Sequence, residues 1–162
     1  MTNLPADLPD DFGSAVARLE QRQRLDVEDM KLLILLETAG EPFYRKLAEL
    51  VEHPEASALL RENGREETAH AHRLKRAIEI LTGEPYEIPS LAENPYAAPP
   101  PFTQVTAQLL SGVKAGEDAG DGAYQRYADH EPNAEVAKLL RQNGREEIRH
   151  AERVAKVIEL LS

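Results

Sequence analysis

The stretch LLRENGREETAHAHR (residues 59–73) returns with substitutions as LLRQNGREEIRHAER (residues 139–153). It is the densest part of an internal repeat that aligns residues 35–81 with residues 115–161, at an offset of 80 and without gaps, with 20 of 47 positions identical. Two copies are too few for a solenoid, which needs at least three. A duplicated helix pair is instead typical of a four-helix bundle.

The spacing of apolar residues and of special polar residues, such as Glu67 and His70, is helical within each copy. In the second segment of the first copy these residues recur at positions 60, 63, 67, 70, 74, 77, 78 and 81, and the second copy repeats the same positions 80 residues later. This is the period of an amphipathic helix and not the alternation of a strand. The pattern predicts helices over roughly 27–51, 55–81, 104–129 and 134–161, with a short extra helix within 11–23.

Individual residues at the ends of these segments support the predicted boundaries. Asp26 is a candidate N-cap, and Pro54 lies where the start of a helix tolerates proline. Gly83 provides a C-terminal stop for the second helix. Pro42 falls inside the first helix, where we expect a kink.

The two halves are joined by residues 82–103, which contain six prolines and cannot be helical throughout. A helix of about 25 residues is roughly 38 Å long, and an extended 22-residue segment reaches about 70 Å. The segment can therefore run the length of the bundle as a crossover between two antiparallel hairpins. We expect one all-α domain over residues 1–162, with residues 1–25 as an N-terminal extension.

Composition excludes several classes of protein. The formal net charge of −10 argues against a broad nucleic-acid-binding face. The chain has no cysteine, which excludes a disulfide framework, a cysteine-ligated zinc site, and an iron–sulfur or rubredoxin module within it. No apolar run approaches the roughly 20 residues of a membrane span, and the N-terminus lacks the pattern of a secretory signal. We therefore expect a cytoplasmic protein that contacts neither membrane nor nucleic acid.

Each repeat carries the same set of candidate metal ligands. A lone glutamate on the first helix is followed 30 residues later by Glu-x-x-His on the second, and all six residues fall on the stripes predicted to face the core: Glu37, Glu67, His70, Glu117, Glu147 and His150. Polar groups at core positions are costly unless they are paired or bind a metal. Four carboxylates would balance the charge of two divalent cations. A metal-free bundle is the alternative.

This pattern resembles the ferritin-like di-iron carboxylate superfamily, and its rubrerythrin and bacterioferritin branches in particular, over residues 27–161. The resemblance implies a ferritin-like four-helix bundle holding two iron ions, with manganese or a mixed iron–manganese pair as the alternative. It also implies that Glu67 and Glu147 bridge the two metals. Glu37 and His70 would complete one metal site, and Glu117 and His150 the other.

Two tyrosines and two glutamates lie close in sequence to the predicted ligands. Tyr44 and Tyr124 lie two turns after the lone glutamates, so we expect them to point toward the site. In related proteins, tyrosines in this position hydrogen-bond a ligand carboxylate or take part in redox steps; a core tyrosine with a satisfied hydroxyl is the alternative. Glu66 and Glu146 could accept a hydrogen bond from the opposite histidine. Pairing at the surface is favoured for both.

Two departures from rubrerythrins affect the functional reading. Rubrerythrins carry an additional glutamate three residues after the lone glutamate of the third helix, where this chain has Gly120, and they usually carry a cysteine-rich electron-transfer domain. We expect an oxidoreductase that reacts with O₂ or H₂O₂ and depends on an external electron donor. The alternatives are a ferroxidase that stores iron and a di-iron hydroxylase. We also expect a homodimer.

Overall fold

The computed structural model describes residues 3–162, so the first two residues of the predicted N-terminal extension lie outside it. The described residues form five helices and no strand: α1 (Phe12–Glu20), α2 (Val27–Leu50), α3 (Pro54–Thr82), α4 (Ala107–Asp129) and α5 (Ala134–Leu160). The predicted all-α bundle is confirmed. Within residues 3–162, no helix combines the length and the apolar character needed to cross a membrane.

The helix ends follow the local chemistry of the sequence. Asp26 caps α2 as predicted, and it forms a reciprocal capping box with Asp29. Gly83 ends α3 with a φ of 72°, a left-handed conformation that favours glycine. The third predicted helix begins at Ala107 and not near residue 104, because the Thr106 side chain accepts a hydrogen bond from the Leu109 N–H and starts the helix there. α2 continues through Pro42 to Leu50.

The bundle is made of two antiparallel hairpins. Helices α2 and α3 pack along each other, as do α4 and α5, and the hairpins meet mainly where α3 contacts α5. The crossover between α3 and α4 is held against α2 by Asn94, whose side-chain N–H groups donate to the Leu35 carbonyl (2.8 Å) and to Thr38 Oγ1 (2.9 Å). Tyr96 in turn donates a hydrogen bond to the Pro9 carbonyl at 2.7 Å, which ties the crossover to the N-terminal segment.

Two apolar clusters fill the bundle at different levels. One joins α1 to the start of α2, the end of α3 and the adjoining ends of α4 and α5. The other lies where α2 ends and α3 begins, together with the start of α4 and the end of α5. Six buried polar residues from the four long helices lie between the clusters: Glu37, Glu67, His70, Glu117, Glu147 and His150, which we call the polar layer. The folded core therefore surrounds a layer of charged groups.

Candidate metal centre

The structure brings all six predicted ligands together in the polar layer. Ligand atoms of Glu37, Glu67, His70 and Glu147 lie within 4.8 Å of one another. Those of Glu67, Glu117, Glu147 and His150 satisfy the same criterion, so Glu67 and Glu147 belong to both groups. The arrangement offers two adjacent positions for cations, with two carboxylates between them.

The two histidines present the same ring nitrogen to the layer. His70 Nδ1 lies 3.3 Å from Glu37 Oε2 and 3.4 Å from Glu147 Oε1. His150 Nδ1 lies 3.3 Å from Glu67 Oε1 and 3.6 Å from Glu117 Oε2. The two rings stack with centroids 5.1 Å apart and planes 15° from parallel. Each Nδ1 atom is therefore in place to bind a cation together with carboxylate oxygens.

The opposite nitrogen of each histidine meets a glutamate from the other hairpin. His70 Nε2 lies 3.1 Å from Glu146, and His150 Nε2 lies 2.9 Å from Glu66. The preference for surface pairing at Glu66 and Glu146 was wrong, because the close crossing of α3 and α5 carries each glutamate to the histidine of the facing helix. An ionised carboxylate can only accept, so Nε2 carries the hydrogen. This contact orients Nδ1 toward the polar layer.

An arginine holds each of these glutamates, and an asparagine holds that arginine. Arg73 donates two hydrogen bonds to Glu146 and a third, at 3.0 Å, to Asn143 Oδ1. Asn143 Nδ2 donates to the His70 carbonyl at 3.2 Å, which closes the network.

An equivalent network around His150 is formed by Arg153, Glu66 and Asn63, and Asn63 Nδ2 donates to the His150 carbonyl at 3.2 Å. Sequence reasoning missed these arginine and asparagine contacts. The available signal was the identity of residues 63 and 143, and of residues 73 and 153, in the two copies.

The two tyrosines lie against the layer, and each crosses to the other hairpin. The Tyr44 hydroxyl of α2 donates to Glu117 of α4, and the Tyr124 hydroxyl of α4 donates to Glu37 of α2. Both tyrosines are buried. Each lone glutamate is thus oriented by a phenol from the opposite half of the repeat.

Burial and neighbouring charges give the carboxyls of the layer different pKa values. Burial and the neighbouring charges of Glu117, Glu37 and Glu147 raise the pKa of Glu67 well above its ordinary value. Burial, together with Glu117, does the same to the pKa of Glu147. Burial opposes ionisation of Glu37 as well, but the adjacent His70 outweighs it and lowers the pKa of Glu37 to about 2.

His70 is the positive partner in this layer. Burial alone would lower the pKa of His70, but the charge of Glu37 and the hydrogen bonds to Glu146 and Glu147 raise it to about 12. Without a cation, the layer therefore keeps protons on its central carboxyls and a positive charge on His70.

The residues of the polar layer fit a pair of metal ions. Mixed carboxylate and imidazole ligands are typical of iron and manganese sites. Nδ1 of His150 is buried and has no hydrogen-bond partner within residues 3–162, although three carboxylate oxygens lie 3.3–3.6 Å away. A buried polar atom without a partner is rare in folded proteins. Coordination would satisfy this nitrogen.

Glycines give the central carboxylates their space. A Cβ at Gly40 would lie 2.8 Å from Glu67 Cγ, and one at Gly120 would lie 3.2 Å from Glu147 Cδ. Both glutamates therefore pack directly against the backbone of the helix that carries the lone glutamate. A side chain at residue 40 would displace Glu67 from the layer.

On its carboxylate side the layer borders an apolar cleft between α2 and α4. The cleft has a volume of about 1000 Å³, and four carboxyl residues of the layer reach it: Glu37, Glu67, Glu117 and Glu147. Both histidines lie on the α3–α5 side of the layer. The layer therefore has one closed side, held by hydrogen bonds, and one side that faces the cleft.

This architecture, two helix hairpins around a buried carboxylate–histidine layer, is that of the ferritin-like helical bundles. A family model described as Rubrerythrin matches residues 31–159, and the chain belongs to the rubrerythrin family. Comparison with curated proteins and with solved structures found no match. Family membership and the buried cluster together indicate a carboxylate protein with a di-metal site, typically iron.

Proposed function

We propose that the polar layer binds two divalent metal ions and that the loaded protein is an oxidoreductase acting on O₂ or H₂O₂. Glu37 and His70 would hold one ion, and Glu117 and His150 the other. Glu67 and Glu147 would bridge them. The observation that carries the proposal is the presence of Glu67 and Glu147 in both groups of converging ligand atoms.

Charge supports two ions in this position. Four carboxylates carry four negative charges, which two divalent cations neutralise. Burial and the surrounding negative charge raise the pKa values of Glu67 and Glu147, so protons balance part of that charge when no metal is present. Metal binding would displace these protons, so affinity would rise with pH.

Iron is the metal we propose, with manganese or a mixed pair as the alternative. Two bound iron ions would supply the redox capacity for reaction with O₂ or H₂O₂. Glu146 and Glu66 would keep each histidine in the tautomer that leaves Nδ1 free to bind. Tyr44 and Tyr124 would orient the lone carboxylates by hydrogen bonds. The proposal also includes a separate electron donor and a homodimer.

A hydroxylase that acts on an organic molecule is a second candidate, favoured by the apolar cleft beside the carboxylates. Peroxide reduction consumes H₂O₂, whereas hydroxylation of an organic molecule consumes O₂. Single-turnover reactions of the reduced, iron-loaded protein with H₂O₂ and with O₂, followed by stopped-flow absorbance, separate the two oxidants.

The first experiment is metal stoichiometry by elemental analysis after anaerobic loading with Fe(II). We expect two ions per chain in the wild type and fewer in His70→Ala. His72→Ala is the matched control, because His72 lies on the same helix two residues away and is exposed. Glu67→Ala should lose both ions because it removes a bridge. A wild type without bound metal, or loss of only one ion in Glu67→Ala, would refute the assignment.

A further inference from the structure

The cleft beside the polar layer has two apolar walls. Away from the carboxyls and tyrosines that also line it, the α2 wall includes Leu33, Leu36 and Phe43. The α4 wall includes four small residues: Gly112, Gly116, Ala119 and Ala123. Because these four residues are small, α4 leaves an open space beside α2. Gly112 and Gly116 have no atoms within 4 Å of an added Cβ.

Further segments bound the cleft. Phe12 and Val16 of α1 line it together with Tyr127 of α4, whose hydroxyl donates to the Leu19 carbonyl at 2.8 Å. Tyr96 and Pro100 of the crossover also line it. The space is therefore bounded by three helices and the crossover.

The charged groups that line the cleft are all acidic. The residues that line it within the described part of the chain include Glu20 and the four carboxyl residues of the layer, but no lysine, arginine or histidine. No basic side chain among these residues could pair with an anionic ligand. The cleft therefore favours a neutral ligand, with its apolar part between α2 and α4.

The size of the cleft exceeds what a diatomic oxidant needs. Its volume of about 1000 Å³ is at the upper end of the range for pockets that hold organic ligands, roughly 300–1,000 Å³. Keeping apolar walls in contact with water costs free energy in proportion to their area. A bound organic molecule would cover these walls.

We propose that this cleft is a binding site for a neutral, largely apolar organic molecule, placed with one end at the carboxylate side of the polar layer. The inference extends the proposed function, since the ligand would lie beside the proposed metals as an organic substrate. Binding itself depends on the walls of the cleft and can be measured with or without metal.

The test uses the neutral fluorescent probe Nile red and its displacement by dodecanol, on protein freed of metal by chelation and on iron-loaded protein. We expect saturable binding of the probe, with displacement by dodecanol at lower concentration than by dodecanoate. Gly116→Leu should weaken probe binding about tenfold or more, because the leucine occupies the ligand space. Equal displacement by dodecanoate would overturn the assignment to a neutral ligand.

Gly122→Leu is the matched control. Gly122 is on the same helix, and an added Cβ there also meets nothing within 4 Å, but Gly122 does not line the cleft. The control should bind the probe as the wild type does. Equal binding by Gly116→Leu and the wild type, or no binding by the wild type, would overturn the proposal. So would a wild-type dimer that Gly116→Leu dissociates and that excludes the probe, because a second copy would then cover the cleft.

Metal stoichiometry distinguishes failure of this inference from failure of the proposed function. We expect Gly116→Leu to retain two iron ions per chain while losing the probe. A protein that binds the probe but no metal would refute the proposed function and leave the ligand site standing. A protein that binds two iron ions but no probe would refute the ligand site and leave the proposed metal site standing.

Discussion

Replacing Glu67 with glutamine should make the metal-free protein more stable, and the gain should grow with pH. Glu67 is buried among other carboxyls, and its pKa is raised well above the ordinary value. The folded state therefore holds a proton that the unfolded state releases above about pH 4.5. When the unfolded state binds fewer protons than the folded state, stability falls as pH rises. Glutamine is neutral in both states, so Glu67→Gln removes the contribution of Glu67 to the pH dependence of stability.

The magnitude follows from the number of buried protons. Each carboxyl that stays protonated only in the folded state lowers the free energy of unfolding by about 1.4 kcal/mol per pH unit. Glu67 and Glu147 both have strongly raised pKa values, so together they cost about 2.7 kcal/mol per unit. Glu67→Gln should remove at least half of that slope. The pKa of Glu37, lowered to about 2, contributes only at more acidic pH.

The assay is urea unfolding followed by circular dichroism between about pH 5.5 and 6.5, with a chelator present. His70, whose pKa is raised to about 12, adds a similar slope in the wild type and the variant and largely cancels in their difference. Glu152→Gln is the control, since Glu152 is exposed on α5. Equal slopes in the wild type and Glu67→Gln, or a wild type whose stability rises with pH in this range, would refute the reasoning.

Three further outcomes follow from other contacts of the polar layer. Glu146→Gln should weaken binding of one metal by about 10–100-fold in calorimetric titration, because His70 loses its charged acceptor. Tyr124→Phe should keep two metals per chain but lower thermal stability by about 1–3 kcal/mol, through loss of a buried hydrogen bond to a carboxylate. Gly40→Ala should reduce metal stoichiometry, because the added methyl group overlaps the Glu67 side chain. Gly116→Ala, the contrasting glycine substitution, should stabilise α4 by about 0.5–1 kcal/mol in the same thermal assay.

The sequence alone was sufficient to predict the bundle and the six residues of its polar layer. Helical periodicity predicts which face of a helix is buried, and the repeat doubles the signal at each position. Glu37 and Glu117 therefore stood out as charged residues on core stripes, one in each copy. Helix ends were predicted to within about three residues because they depend on local groups, such as the caps at Asp26 and Gly83.

The partner of each side chain across the bundle was not predictable in the same way. Periodicity specifies a face but not the rotation and crossing of two helices, and these decide that Glu146 meets His70. The same limit applies to Tyr44, which crosses to Glu117. The cleft depends on the separation of α2 and α4, which results from side-chain volumes in three dimensions and leaves no periodic signal.

The repeat accounts for the chemical likeness of the two halves, and the segments outside it account for their difference. Glu37 and Glu117 occupy equivalent positions, yet the Glu37 side chain is 6% exposed and the Glu117 side chain 12%. The cause is that α1 and the crossover pack on α2, while the outer face of α4 is left to solvent. The cleft opens beside this less covered helix. The two halves of a duplicated ligand set thus differ in how far solvent reaches their lone glutamates, although both glutamates line the same cleft.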